Sequence, residues 1–296
     1  MRVDSVLVGT RASKLARLQT DFVIGKLKAL YPAKTLAVKT ISTGGDKNRS
    51  IPIADLGVRG AFVKELEDAL LSCAVDLVVH SLKDMTTELP GGLCLIAVLD
   101  RADRHDVLVS HEKSKLTDLL SGSRIATSSR RRTAQLKALR NDLEFVDIRG
   151  NVPTRIKKME NGQCEAMVLA AAGLIRLGLD QYISETFSEE ILTPAAGQGA
   201  LAIECRENDE ELIKMLIALD DPNVRAQVDC ERAFLAELGG GCSVPIGASA
   251  RLKAGKLILT GCIASLDGSA VFRDIIEGEP TEAVETGKAL ARKMLS

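Results

Sequence analysis

An α/β fold of more than one domain follows from three features of this 296-residue sequence. Apolar strand-like runs alternate with helix-patterned segments from residue 6 to about residue 99, the signature of an α/β layer with a largely parallel sheet. The same alternation restarts near Arg124. Beyond Asp220 it gives way to a helix, three strand-like runs joined by tight turns and a closing helix, the make-up of a small antiparallel sheet covered by helices. At this length two or three domains are expected.

Residues 6–8 read as a buried strand, followed by a helix from about 13 to 30 whose apolar face is Leu15, Leu18, Phe22 and Ile24. Residues 36–41 form a second strand. The polar, glycine-containing stretch from Ser42 to about Gly60 is expected to be a mobile loop. A helix over 62–71 and strands over 75–79 and 93–99 complete the first alternation. In the second, a strand at 124–126 runs through the cap cluster Thr127-Ser128-Ser129 into a helix over 130–140. A strand at 145–148, a helix at 151–160 and a strand at 166–170 follow. Gly9-Thr10-Arg11-Ala12-Ser13 and Ala126-Thr127-Ser128-Ser129-Arg130-Arg131 echo each other, each passing from a strand through hydroxyl residues and arginine into a helix. Two similar domains are therefore expected, with helix N-termini towards a shared cleft, where ligands of open α/β sheets bind. In the third region a helix at 224–238 precedes strands at 248–251, 257–264 and 270–276, with turns at 253–256 and Asp267-Gly268. A helix from about Thr281 ends the chain.

Composition narrows the function. Apolar residues at 46% and charged residues at 27% are ordinary for a soluble globular protein. No apolar run reaches the length of a membrane span, and the first residues lead straight into a strand, so no signal peptide is expected. Seven cysteines without paired spacing suit a reducing cytosol, and three scattered histidines without a C-x-x-C motif argue against structural zinc. A net charge of −1 with 3% aromatics and no Trp argues against a general nucleic-acid binder.

The chemistry-bearing residues cluster at strand ends. Arg130-Arg131-Arg132 open a helix, where the helix dipole disfavours cations, so a bound anion among them would account for them. Arg11, Arg149, Arg155 and Arg176 also follow strands. The arginine fork binds carboxylate or phosphate bidentately. Taken singly, such arginines are more often solvated surface residues; as a set they imply a ligand with several anionic groups. No Walker-type loop is present, so a multi-carboxylate ligand serves as well as a nucleotide. Asp84, in His80-Ser81-Leu82-Lys83-Asp84, follows a very apolar strand, and among basic groups it would stay ionised and stabilise a developing cation or relay a proton. A salt bridge is the plainer reading of the same residue. Gly239-Gly240-Gly241-Cys242-Ser243-Val244-Pro245 puts a thiol on a glycine-flanked loop rather than in an apolar element, which marks Cys242 for covalent chemistry or for a tight turn.

These segments together resemble the porphobilinogen deaminase family over nearly the whole chain. The resemblance rests on Gly9-Thr10-Arg11-Ala12-Ser13, Phe62-Val63-Lys64-Glu65-Leu66, Val79-His80-Ser81-Leu82-Lys83-Asp84, Thr127-Ser128-Ser129 with Arg131-Arg132, and Arg149-Gly150-Asn151-Val152 with Thr154-Arg155. Ala172-Gly173-Leu174 with Arg176-Leu177, Pro194-Ala195-Ala196-Gly197-Gln198-Gly199 and Gly240-Gly241-Cys242 extend it. It implies two periplasmic-binding-protein-like α/β domains around a cleft, residues 1–99 with 196–217 and residues 103–193. A small α+β domain with a three-stranded antiparallel sheet, residues 220–296, completes the expected fold. It also implies a cytoplasmic, monomeric transferase of tetrapyrrole (haem) biosynthesis that condenses four porphobilinogen molecules with release of ammonia to give hydroxymethylbilane. The family builds its product on a dipyrromethane cofactor held by a thioether, here to Cys242. Asp84 matches the catalytic aspartate. Lys83, Asp84, Thr127, Ser128, Ser129, Arg131 and Arg132 match cofactor-binding positions, and Arg11, Ser13, Arg149, Arg155 and Arg176 match substrate-binding ones. No metal is implied. The sequence departs from the family pattern at Arg59, Thr86, Ala126, Arg130 and Pro153, none of which removes a residue the chemistry needs. A two-domain binding protein for a small anionic ligand is the competing reading; the Cys242 loop and the expected absence of an export signal weigh against it.

Overall fold

The computed structural model describes residues 5–44, 62–240 and 244–296. Most of the expected 42–60 loop, with Arg59, and Cys242 lie outside the described residues. The chain divides into two compact units, whose described parts are 5–44, 62–101 and 200–225 for the first and 102–199, 226–240 and 244–296 for the second.

The first unit is built on a five-stranded sheet. Its strands are β1 (Ser5–Arg11), β2 (Thr35–Ile41), β3 (Leu77–Ser81), β4 (Leu93–Val98) and β10 (Leu201–Arg206), in the order β2-β1-β3-β10-β4. β2, β1 and β3 are parallel, and β10 runs antiparallel to both β3 and β4. Helices α1 (Lys14–Leu30) and α6 (Glu210–Leu216) cover one face, burying Val23, Leu27, Leu212 and Leu216 against Val6, Val8, Leu77, Val79 and Ile203. Helix α2 (Lys64–Leu71) packs Leu66 and Leu70 on Val75, Val78 and Leu93. The period-2 alternation of the strands and the 3.6-residue period of the helices put those residues on the facing surfaces. Ser13 starts α1 as its N-cap, its hydroxyl accepting from the Ala16 N–H at 3.2 Å.

The second unit repeats the pattern. β5 (Asp106–Ser110), β6 (Arg124–Ala126), β7 (Glu144–Val146), β8 (Ala166–Ala170) and β9 (Ile183–Thr186) form a sheet of order β7-β6-β8-β5-β9. Again three parallel strands are followed by an antiparallel fourth, and the fifth is antiparallel to that fourth. Helices α3 (Arg130–Lys137), α4 (Val152–Glu160) and α5 (Ala171–Leu177) leave the ends of β6, β7 and β8. The same unit holds the three-stranded antiparallel sheet β11 (Ile246–Lys253), β12 (Lys256–Ala264) and β13 (Val271–Gly278), with α7 (Pro222–Glu237) and α8 (Ala283–Leu295). These have a core of their own around Phe234, Ala250, Leu257, Leu259 and Leu290. α8 lies close enough to α7 that a Cβ on Gly287 would stand 2.2 Å from the Cys230 carbonyl oxygen.

The α/β class, the repetition of a similar α/β pattern and the terminal three-stranded antiparallel sheet agree with the expectation from sequence. Two points differ. The sheets are mixed rather than largely parallel, because β10 and β5 are inserted from distant parts of the chain. Helix α3 stops at Lys137, short of 140, and the Arg140 side chain turns back to donate to the carbonyls of Leu116 and Leu119.

Candidate active site

In the first unit, β1 and β3 are parallel neighbours, so the segments that leave their carboxyl ends lie side by side. Arg11 ends β1, with its guanidinium carbon 4.1 Å from the centre of the Phe62 ring, and Ser13 follows as the α1 cap. From β3 the chain enters a single 3-10 turn, Leu82–Asp84, fixed to the sheet by the Leu82 N–H donating to the Ala200 carbonyl at 3.1 Å. Leu82 points into the core while Asp84 is exposed. Ser81 and Gln19 exchange hydrogen bonds at 2.9 and 3.2 Å, joining α1 to the last residue of β3. The turn that carries Lys83 and Asp84 is therefore pinned on both sides. The Thr86 hydroxyl donates to the Glu88 carbonyl at 2.5 Å.

In the second unit, β7, β6 and β8 bring three more strand ends together. Thr127, Ser128 and Ser129 follow β6. The Ser128 hydroxyl donates to the Ile148 carbonyl at 3.2 Å, which ties the β6 end to the segment carrying Arg149. Ser129 caps α3, its hydroxyl accepting from the Arg132 N–H at 3.5 Å. Arg155, one turn into α4, donates to the Gly150 carbonyl at 2.7 Å, and Arg176 donates to the Gly199 carbonyl at 2.7 Å.

Arg131 and Arg132 point inward and are only 6% and 8% exposed. Both bind Asp106, the fully buried first residue of β5. Arg131 Nη1 meets Asp106 Oδ2 at 2.7 Å, and Arg132 Nη2 and Nε meet Oδ1 at 2.6 and 3.0 Å. Gln198, from the Pro194–Gly199 motif, donates to the same Oδ1 at 2.9 Å. Burial alone would raise the Asp106 pKa, but the charges and hydrogen bonds of the two arginines outweigh it and hold the carboxyl well below the ordinary carboxylate range. Both guanidinium groups also donate to backbone: Arg131 Nη1 to the Thr193 carbonyl at 2.7 Å and Arg132 Nη1 to the Val168 carbonyl at 2.9 Å. An anion does sit among these arginines, and it belongs to the chain itself. Two guanidinium charges nevertheless face one carboxylate, which leaves a positive excess in a buried place. Such an excess is costly unless a second anion meets it.

The loop of Cys242 departs from the end of α7. Gly239 adopts φ +63°, a left-handed conformation that favours glycine at a helix C-terminus, and β11 resumes at Ile246. Cys242 itself lies outside the described residues. The flanks are well anchored. Glu231 of α7, fully buried, accepts from the Gly197 N–H and the Ala250 N–H, each at 2.7 Å. Glu189 accepts from the Ser249 hydroxyl at 2.7 Å and from Arg251 at 3.0 Å.

Sequence reasoning missed Asp106, Glu189 and Glu231. Gln198 lay within a quoted motif, but nothing in the residue pattern assigned its amide to Asp106. Among the described residues no group of three or more His, Cys, Asp or Glu side chains is placed to hold a metal, and no helix is long and apolar enough to cross a membrane.

Comparison with known proteins decides the family. Residues 6–214 match the model of the porphobilinogen deaminase dipyromethane cofactor binding domain, and residues 226–296 match that of the porphobilinogen deaminase C-terminal domain. The chain belongs to the porphobilinogen deaminase family. The porphobilinogen deaminase of Roseiflexus castenholzii is 46% identical over 292 residues, spanning 99% of this chain and 96% of the relative. That of Geobacillus kaustophilus is 47% identical over 281 residues, 95% of this chain and 91% of the relative. Among solved structures, the methionine-binding protein MetQ aligns with 73% of this chain and 90% of its own length at a TM-score of 0.47 and 14% identity, too remote to bear on function. Membership makes the chain an enzyme of the transferase class, with a dipyrromethane cofactor binding domain. The buried charge excess of Arg131 and Arg132 fits such a cofactor, since a dipyrromethane bears carboxylate side chains.

Proposed function

We propose that this chain is a porphobilinogen deaminase that joins four porphobilinogen molecules head to tail, releases one ammonia at each addition and yields hydroxymethylbilane. The observation that carries this reading is the buried Arg131–Arg132 pair, neutralised only in part by Asp106. The cofactor would be held through a thioether to Cys242, with Lys83, Asp84, Thr127, Ser128, Ser129, Arg131 and Arg132 receiving it. When bound, dipyrromethane supplies the terminal pyrrole carbon to which an incoming ring is joined. Arg11, Ser13, Arg149, Arg155 and Arg176 would take the carboxylates of the substrate, by the bidentate preference of guanidinium for carboxylate. Three domains, residues 1–99 with 196–217, 103–193 and 220–296, are part of the proposal. The separate core of the antiparallel sheet supports the last boundary. So are a cytoplasmic location and a monomeric state.

Asp84 is the catalytic residue in this reading. Its carboxylate would accept a hydrogen bond from the substrate's pyrrole N–H and stabilise the positive charge that develops there as the amino group leaves as ammonia. A fixed carboxylate aimed at developing charge is worth several kcal/mol in a site that excludes water. Lys83, beside it, would hold a carboxylate and keep the substrate ring in register. Asp84→Asn keeps the shape and removes the charge. Its expected effect is a kcat at least about 100-fold lower with substrate binding retained. Near-normal turnover by the purified variant would refute the assignment.

A further inference from the structure

Two residues before the Leu82–Asp84 turn, the sheet of the first unit contains a group of polar side chains that the reaction does not use. His80 Nε2 lies 2.9 Å from Glu204 Oε2 across β3 and β10, with the two residues 4% and 0% exposed. The pKa of Glu67, on α2, is raised, first by burial and then by the charge of Glu204, while His80 opposes the rise. Glu204 Oε1 and Glu67 Oε1 are both buried without a hydrogen-bond partner. Asp68 on α2 and the Cys94 thiol on β4 also feel this group, the latter through Glu204.

Ionisable groups in an apolar sheet are poor stabilisers, because desolvation costs several kcal/mol per ion and well-packed apolar residues would hold the fold at least as well. A role in fixing geometry explains them better. The two side chains come from β3 and β10, the strands whose ends hold the 3-10 turn. We propose that His80 and Glu204 form a buried strut that sets the position of the Leu82–Asp84 turn, making them positioning residues for Asp84. In the proposed strut His80 Nε2–H is the donor and Glu204 Oε2 the acceptor. This inference rests on the reading of Asp84 as catalytic.

The test uses the holoenzyme and two variants. His80→Leu/Glu204→Leu replaces the pair by apolar groups and is expected to keep its melting temperature while kcat falls about 10- to 100-fold with KM little changed, the signature of a misplaced catalytic group. Glu204→Gln preserves an acceptor for His80 Nε2–H and should restore kcat to within about threefold of the parent. A folded double-leucine variant with parental kcat overturns the proposal. Should that variant fail to fold, nitrogen-resolved NMR of the unmodified holoenzyme decides: the strut requires a slowly exchanging His80 Nε2–H proton, and its exchange at the solvent rate overturns it. Asp84→Asn, assayed alongside, separates the two readings. Its full turnover would remove the catalytic assignment of Asp84 whatever the imidazole signal shows, whereas an absent signal removes the strut whatever Asp84 does.

Discussion

Replacing Asp106 by asparagine leaves Arg131 and Arg132 buried with no counter-charge. The carboxylate is 0% exposed and the two guanidinium side chains 7% and 9%. Removing one partner of a buried pair costs about 3–5 kcal/mol, because the other charge stays behind unpaired. Near the midpoint of a body of 150–250 residues each kcal/mol shifts melting by about 2–4 °C, so the second unit should melt about 6–20 °C lower. The pH dependence has a definite sign. The folded-state pKa of Asp106 is depressed, so its stabilisation is present above the unfolded carboxylate value of about 3.9 and is lost as pH falls below it. The gap in melting temperature between parent and variant should be full at pH 7 and narrow steadily below about pH 4. Arg132→Leu in the Asp106→Asn background should recover part of the loss, a coupling of about 0.5–3 kcal/mol in a double-mutant cycle. Thermal unfolding followed by circular dichroism reads all of this. A variant that melts within about 2 °C of the parent at pH 7 would refute the claim that the pair is a buried, partly compensated charge cluster.

Glu231→Gln keeps one acceptor for the two N–H groups of Gly197 and Ala250 and turns an amide donor towards the other. A loss of about 1–3 kcal/mol in urea unfolding is expected, and an unchanged midpoint would show that the carboxylate does not hold these segments together. Gly287→Ala pushes a methyl into the Cys230 carbonyl and should destabilise by about 1–3 kcal/mol. Gly25→Ala, in the middle of α1 with open space around it, should stabilise by about 0.5–1 kcal/mol. The same unfolding assay reads both, and equal shifts for the two would contradict the packing described.

Much of the fold was legible because strands such as β1, β8 and β12 are apolar runs bounded by turn residues; α1 was legible as a helix, but its buried face was not, since small and polar residues (Ala16, Gln19, Thr20) face the sheet while Leu18 and Phe22 are exposed. The strands that sequence reading missed have a common cause. β5, β9 and β10 pair with partners far away in the chain: β10 lies between β3 and β4, over a hundred residues earlier. Their pairing is fixed by tertiary contacts rather than by local pattern. The site divides in the same way. Arginines at strand ends raised the expectation of an anionic ligand, and for Arg131 and Arg132 the structure supplies a carboxylate from the chain itself, Asp106. Asp106 did not, since an aspartate in the run Asp103-Arg104-His105-Asp106 looks like a surface charge until β5 carries it beneath α3. His80 and Glu204 were hidden for a similar reason, each being one polar residue within an otherwise apolar strand. The glycines around Cys242 were the local feature that singled out this thiol in the sequence.

The attachment of dipyrromethane to Cys242 is tested most directly by the intact mass of the purified, active protein. The account predicts the mass of the chain plus two linked pyrrole units, with the increment on the peptide that contains Cys242 and absent from Cys242→Ala. A fully active protein of unmodified mass would contradict it.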